Sequence, residues 1–343
     1  MKIFFVGYHN PHFLSFCEYT ERAIKSLGHE LAVYDYRNWL IPGRIRDRVP
    51  VFHKWDMQRI NLNLIAKVKK FQPDVLLVTG AWTISAETIT RLKKETNVVT
   101  INWIADFPLM WDSYEKVGPY YDFFFTSATD ALEIYKKAGN TNGYWLPFAC
   151  DQELHQKITL TEDEWRQYQS DICFIGTCYN ERIEILEHLT DFNVAIWGPG
   201  WDKVPEQSSL RKFIRGGPLQ PREWVKALSA SKIGLNILGY QYDIPGLIVD
   251  EKECRMTNTR LFELFGCGVL QMVNARADVL TLFKDGEHGC FFKDGKDLKA
   301  LVKKYLDNPG ERERIAQAGQ KEVLAKHTYK HRIEEMLSIA FTK

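Results

Sequence analysis

The residues best suited to chemistry in this chain lie between positions 255 and 268, which read Arg255-Met256-Thr257-Asn258-Thr259-Arg260-Leu261-Phe262-Glu263-Leu264-Phe265-Gly266-Cys267-Gly268. Asn258 is a residue type that caps helices, and the glycines at 266 and 268 are suited to ending one. A short helix starting at Thr259 would leave backbone N–H groups unbonded at its first turn, and such a turn receives phosphate oxygens. Arg260 adds positive charge there. Glu263, one turn in, can accept two hydrogen bonds from a vicinal diol such as that of a ribose. The same spacing also makes Arg260 and Glu263 an ordinary i, i+3 ion pair on a helix, and spacing alone leaves both readings open.

A second group of residues has the form of a strand, a glycine turn and a helix start: Phe174-Ile175-Gly176-Thr177-Cys178-Tyr179-Asn180-Glu181-Arg182. Backbone amides at Gly176 and Thr177 can approach a phosphate closely, with Arg182 in the first turn behind them. The plainer reading is a β–α turn with Arg182 in solvent. Further on, Trp197-Gly198-Pro199-Gly200-Trp201-Asp202-Lys203 imitates a dinucleotide fingerprint, but Lys203 stands at the third glycine position, which excludes a dehydrogenase. Gly198 and Trp201 then either shape the same anion pocket or, for the tryptophan, fill core. No Asp-x-Asp stands at a strand end and no His or Cys cluster has ligand spacing, so no metal and no other cofactor is expected. Arginines and backbone amides are left to handle negative charge.

These residues need elements that hold them in place. Lys2 to Val6, Leu31 to Tyr36, Val75 to Val78, Val98 to Ile104 and Phe123 to Phe125 read as buried strands, separated by helical stripes such as Phe16, Tyr19, Ala23 and Leu27. The pattern restarts after Leu146-Pro147-Phe148-Ala149-Cys150-Asp151, with strands at Asp171 to Ile175, Phe192 to Trp197 and Ile233 to Leu238 and helices between them. The expectation is α/β with two doubly wound, Rossmann-like domains, 1–150 and 151–328, with a helix over 329–343 returning to the first domain. Ligands would then gather at the carboxyl ends of the strands, in the cleft between the domains.

With 343 residues the chain has room for two cores, and 45 Lys and Arg against 44 acidic residues remove the global field that draws proteins to nucleic acid. Seven cysteines without a CxxC pair read as reduced core residues. The apolar run at the N-terminus is too short for a signal segment or a membrane span, so a cytoplasmic location is the expectation. From Arg44 to Trp55 the chain is rich in basic residues; it reads as a solvated loop, with a membrane surface or an anionic acceptor as its alternative contact.

Three motifs in series carry a resemblance: Ser229-Ala230-Ser231-Lys232-Ile233-Gly234-Leu235-Asn236-Ile237, then Asn258 to Glu263 with Gly266-Cys267-Gly268, then His327-Thr328-Tyr329-Lys330-His331-Arg332. In order and spacing, from about residue 170 onward, they resemble the CgeB-type (spore-maturation-like) glycosyltransferases. The first half resembles them more loosely, through Gly28-His29-Glu30, Pro73-Asp74, Asp106 and Leu146 to Asp151. The resemblance implies a GT-B fold and a nucleoside diphosphate sugar as donor, with Glu263 on the nucleotide ribose and the Asn258-Thr259-Arg260 turn on the phosphates. Retaining GT-B enzymes often carry a second glutamate eight positions earlier. Here that position is Arg255, which either faces the phosphates or pairs with Glu251, so retention does not follow.

For an inverting transfer a base must take the acceptor proton. Asp106, just past the apolar strand Val99 to Ile104, sits where a carboxyl end would present it, and a turn aspartate is its alternative role. His9 and His12 are rivals, and with Asn10 they make up the expected acceptor side. Transfer from a nucleotide sugar to an unidentified acceptor, metal-independent and leaning to inversion, is the leading reading. A sugar-nucleotide epimerase or hydrolase, or a non-catalytic nucleotide-sugar-binding protein, are its alternatives.

Overall fold

The computed structural model describes residues 1–9, 14–80, 83–104, 117–239 and 254–342. Two compact units divide the described residues, one of 1–147 with 330–342 and the other of 148–239 with 254–329.

The first unit carries a six-stranded sheet: β1 (Lys2–Gly7), β2 (Glu30–Asp35), β3 (Val75–Thr79), β4 (Val99–Ile104), β5 (Phe123–Thr126) and β6 (Gly143–Trp145). Its order is β2-β1-β3-β4-β5-β6 and every pairing is parallel. Parallel strands are covered on both faces, which is why β1 and β3 are near-continuous apolar runs. The helix Phe16–Ser26 starts with a full capping box, in which the Ser15 hydroxyl oxygen accepts from the Cys17 N–H and the Glu18 carboxylate accepts from the Ser15 N–H. Ser15→Ala is expected to lower the stability of this unit by about 1 kcal/mol, measurable as a shifted urea midpoint with an unchanged m-value. The last helix, Tyr329–Phe341, is tied into this unit by the Arg332 guanidinium, whose Nε donates to the Pro147 carbonyl at 2.9 Å.

The stretch from Arg44 to Trp55 is not a loop. It lies largely in two helices, Gly43–Arg46 and Pro50–Phe71. Pro50 at the first helical position was the available signal. It was obscured because the buried stripe of the long helix begins only at Asp56 and Ile60, so the first turn has no inward apolar residue to mark it.

The second unit repeats the plan with β7 (Ser170–Ile175), β8 (Val194–Trp197), β9 (Ile214–Gly216), β10 (Ser231–Asn236), β11 (Leu270–Asn274) and β12 (Cys290–Phe292). The order is β12-β11-β10-β7-β8-β9, again parallel throughout. The chain therefore starts in the middle at β7, runs outward through β8 and β9, and resumes on the other side at β10. That reversal puts a topological switch point between β7 and β10, where a crevice opens at the strand ends of a doubly wound sheet. None of the seven cysteines is in a disulfide; Cys178 is half-buried and the other six are buried. Among the described residues no helix is long and apolar enough to cross a membrane.

Candidate functional site

Two groups of side chains meet at the carboxyl ends of β7 and β10. On the β7 side, Gly176 follows the strand and Gly198 follows β8. Gly198 has φ +138°, and a Cβ there would fall 2.1 Å from the Gly176 carbonyl oxygen. Only glycine lets the two turns approach so closely. Trp201 fixes the same carbonyl from the core side: its indole is 1% exposed, packs edge-on against Phe174, and donates Nε1–H to Gly176 O at 2.8 Å. Arg182 is buried. Its Nε donates to the Ile237 carbonyl just past β10 at 3.1 Å and its Nη1 to the Thr177 carbonyl at 2.9 Å, with the guanidinium over the Tyr179 ring. Arg182 thus staples the two strand ends that flank the switch point.

On the β10 side the key contact is a reciprocal pair of amides. Asn236, the last residue of β10, donates to Asn258 Oδ1, and Asn258 donates back to Asn236 Oδ1, both at 3.0 Å. Asn258 is also the N-cap of the helix Thr259–Gly266, accepting from the Leu261 N–H at 2.9 Å. The strand end therefore sets the direction of the helix start, and the N–H groups of Thr259 and Arg260 belong to the first turn that an α-helix leaves without intrahelical partners. Arg276 braces the flanks of this turn, donating to the Leu238 and Cys254 carbonyls, while Asn274 Oδ1 accepts from the Leu238 N–H.

Glu263 lies one turn behind, 6% exposed. Its Oε2 is 3.0 Å from Arg260 Nη1, an ion pair whose angles fall short of a hydrogen bond. Arg260 in turn stacks over the Trp224 ring at 4.7 Å. On the other side Glu263 Oε1 is 4.0 Å from His155 Nε2, and His155 is itself fully buried against Trp224. Since His155 Nδ1 accepts from the Asp151 N–H, the neutral ring carries its proton on Nε2, facing the carboxylate. Burial pushes the Glu263 carboxyl above the ordinary range, and the Arg260 charge only partly opposes this. A buried carboxylate that a cation incompletely satisfies is suited to accept hydrogen bonds from hydroxyl groups brought to it.

The structure thus gathers Gly176, Thr177, Arg182, Gly198 and Trp201 on one flank and Asn258, Thr259, Arg260, Leu261 and Glu263 on the other. Leu261 contributes its N–H to the cap and its side chain to the core. Arg255 is half-buried, and its carbonyl accepts from the Asp278 N–H; its candidate partner Glu251 lies outside the described residues. In the first unit His9, two residues past β1, pairs with Glu21 on the helix Phe16–Ser26. Asp106, Asn10 and His12 lie outside the described residues. Sequence reasoning missed Asn236, His155, Trp224 and Arg276. Of these only Asn236 had a signal, as a polar residue ending an apolar strand.

Spore protein CgeB of Bacillus subtilis is 24% identical over 272 residues, 77% of this chain and 82% of that protein. Among solved structures, sucrose-phosphate synthase from Thermosynechococcus elongatus superposes with a TM-score of 0.68 at 11% identity, covering 98% of each chain. Anabaena HepE, solved in complex with UDP-glucose, superposes with a TM-score of 0.62 at 11% identity, covering 99% of this chain and 100% of that one. These neighbours carry the GT-B fold, as does this chain. Residues 181–338, which include Arg182, Gly198, Trp201 and the whole Asn258 to Glu263 turn, match the glycosyl transferase-like family model, and the chain is similar to Spore protein CgeB.

Proposed function

We propose that the protein is a glycosyltransferase that takes its sugar from a nucleoside diphosphate donor bound at the β7/β10 switch point. The observation that carries this reading is the Asn236–Asn258 amide pair, which aims a helix start and Arg260 at the strand ends with Glu263 one turn behind. In this reading the diphosphate accepts from the Thr259 and Arg260 amides and from the Arg260 guanidinium, with the Gly176–Thr177 turn opposite. The ribose diol donates to Glu263. Without donor, Arg260 and Glu263 are each other's incomplete ion-pair partner; donor binding replaces each with a substrate group of matching charge or polarity. The likeness to HepE, solved with UDP-glucose, supports a nucleotide sugar as ligand.

Chemically, the bond between the anomeric carbon and the diphosphate oxygen breaks, the acceptor oxygen bonds to that carbon, and the acceptor proton passes to a base. We assign the base to Asp106, ahead of His9 and His12, and the transfer to inversion because Arg255 replaces the carboxylate that retaining relatives would use. Arginine and amide donors carry the leaving-group charge, so no metal is assigned.

A thermal-shift screen with UDP-, dTDP-, GDP- and ADP-sugars tests donor binding, since a ligand at about 100 times its Kd stabilises by about 2.7 kcal/mol. Failure of all four to raise the melting temperature would remove the reading. Product analysis with donor alone separates transfer from hydrolysis or epimerisation. Asn236→Asp keeps the acceptor for Asn258 but adds a negative charge beside the phosphate turn. It is expected to weaken nucleoside diphosphate affinity by about tenfold, read by titration calorimetry.

A further inference from the structure

The first unit carries a surface that donor binding does not use. Five of the fourteen large hydrophobic side chains exposed among the described residues fall between positions 40 and 55: Leu40 (65% exposed), Ile45 (49%), Val51 (65%), Phe52 (42%) and Trp55 (49%). Exposed apolar residues scattered singly need no explanation, but a concentration of this kind marks an interaction site. Arg44, Arg48 and Lys54 are interleaved with them and exposed. From position 37 to 59 there are six Lys and Arg against two carboxylates, in a chain whose overall net charge is only +1. Both carboxylates are engaged: Asp47 with Arg46, and the fully buried Asp56 with Arg59.

This surface is held in shape. Asp56 Oδ2 accepts from the Leu40 and Ile41 N–H groups at 2.9 and 3.0 Å, which fixes the turn that presents Leu40. Arg46 stacks on Trp39 at 3.9 Å, and Trp39 packs against His53, which locks the short Gly43–Arg46 helix to the start of Pro50–Phe71. The long helix buries Asp56, Ile60, Leu64, Ile65 and Val68 on its inner stripe. Val51, Phe52, Trp55 and the exposed Leu62 lie on the opposite side, so the helix is apolar twice over.

We propose that this face docks the protein on an anionic lipid bilayer. Exposed aromatic and aliphatic side chains bordered by basic ones match an interface in which acyl chains take the first and phosphate headgroups the second. A soluble polyanion would use the charges and leave Trp55, Phe52, Val51 and Leu40 unused. A second copy of this chain would bring the same positive surface against itself. The attachment is peripheral and independent of the donor site.

Co-sedimentation of the full chain with vesicles tests this. Phosphatidylcholine vesicles containing phosphatidylglycerol should bind the protein, pure phosphatidylcholine vesicles should not, and raised salt should weaken binding. Phe52→Ser with Trp55→Ser should cut the partition coefficient about tenfold or more. Arg44→Glu with Arg48→Glu and Lys54→Glu should cut it at least about fivefold per charge. Both variants change exposed side chains, so their melting temperatures should match the parent. Equal binding to neutral vesicles, or unchanged binding by either variant, would overturn the proposal. So would undiminished binding of the Phe52/Trp55 variant to heparin beads combined with no vesicle binding by the parent, which marks a polyanion surface. A concentration-dependent dimer lost in the Phe52/Trp55 variant would also overturn it.

Discussion

Glu263→Ala is expected to weaken nucleotide-sugar affinity by about 100-fold, near 2.7 kcal/mol, because two hydroxyl donors lose a charged acceptor that is itself buried. The conservative exchange Glu263→Gln is the sharper probe. In the ligand-free chain the carboxyl of Glu263 is held above its unfolded value by burial. Below the unfolded value both states are protonated. As pH rises through the window between the two values, the unfolded state loses its proton first and stability falls. The charged form of the buried Glu263 is therefore a cost that Arg260 only partly offsets. Glu263→Gln should leave the ligand-free protein as stable as the parent, within about 1 kcal/mol, or more stable. The same change should cut donor affinity by about tenfold or more, because an amide can offer only one acceptor to the diol. A residue kept only as the partner of Arg260 would behave in the opposite way, losing stability without affecting a ligand. The expected pattern, binding lost and stability kept, is what a functional carboxylate buried against its own energetic interest gives.

Gly198→Ala should be the most destabilising of the single-atom changes near the site, by about 3 kcal/mol or more, read by chemical denaturation. The added Cβ falls 2.1 Å from the Gly176 carbonyl oxygen and 2.7 Å from the carbonyl carbon, and those backbone atoms cannot swing aside as a flexible side chain would. A φ of +138° also strains an L-residue before any contact is counted. Relief requires the β8 turn to move off the β7 turn, which also moves the carbonyl that Trp201 holds. Surviving protein should therefore bind the donor less well. Gly310, near the start of the helix Pro309–Lys326, has open space around its Cβ position and is the control; Gly310→Ala should be neutral or stabilising by up to about 1 kcal/mol.

The legibility of the fold followed how local each signal is. β1 and β3 could be read because strands buried on both faces are near-continuous apolar runs, and β7 and β10 because each holds a shorter apolar stretch, Ile172 to Ile175 and Ile233 to Leu235. β6, β9 and β12 are three residues long, and two of them contain glycine (Gly143 and Gly216), so no period can develop. The helix Ala86–Glu95 was not anticipated either; its buried face is only Thr88, Ile89 and Leu92 among charged residues. At the site, the Asn258 cap and the helix behind it were legible because capping acts within three residues. The amide pair with Asn236, the stacking of Arg260 on Trp224 and the approach of His155 to Glu263 join residues distant in the chain, and nothing in local spacing announces them. Arg182 illustrates the converse. Its place after the glycine turn suggested either a phosphate ligand or a solvent-exposed side chain, while the folded chain buries it and directs its donors to the carbonyls of Thr177 and Ile237.

In the proposed function the turn from Asn258 to Glu263 binds the nucleotide part of a sugar donor. Titration calorimetry of the parent and Glu263→Gln, using whichever nucleotide sugar raises the melting temperature of the parent, tests it most directly. The expected result is saturable one-to-one binding by the parent, about tenfold or more weaker binding by the variant, and no loss of ligand-free stability. Parent-like affinity in a folded Glu263→Gln protein would contradict it.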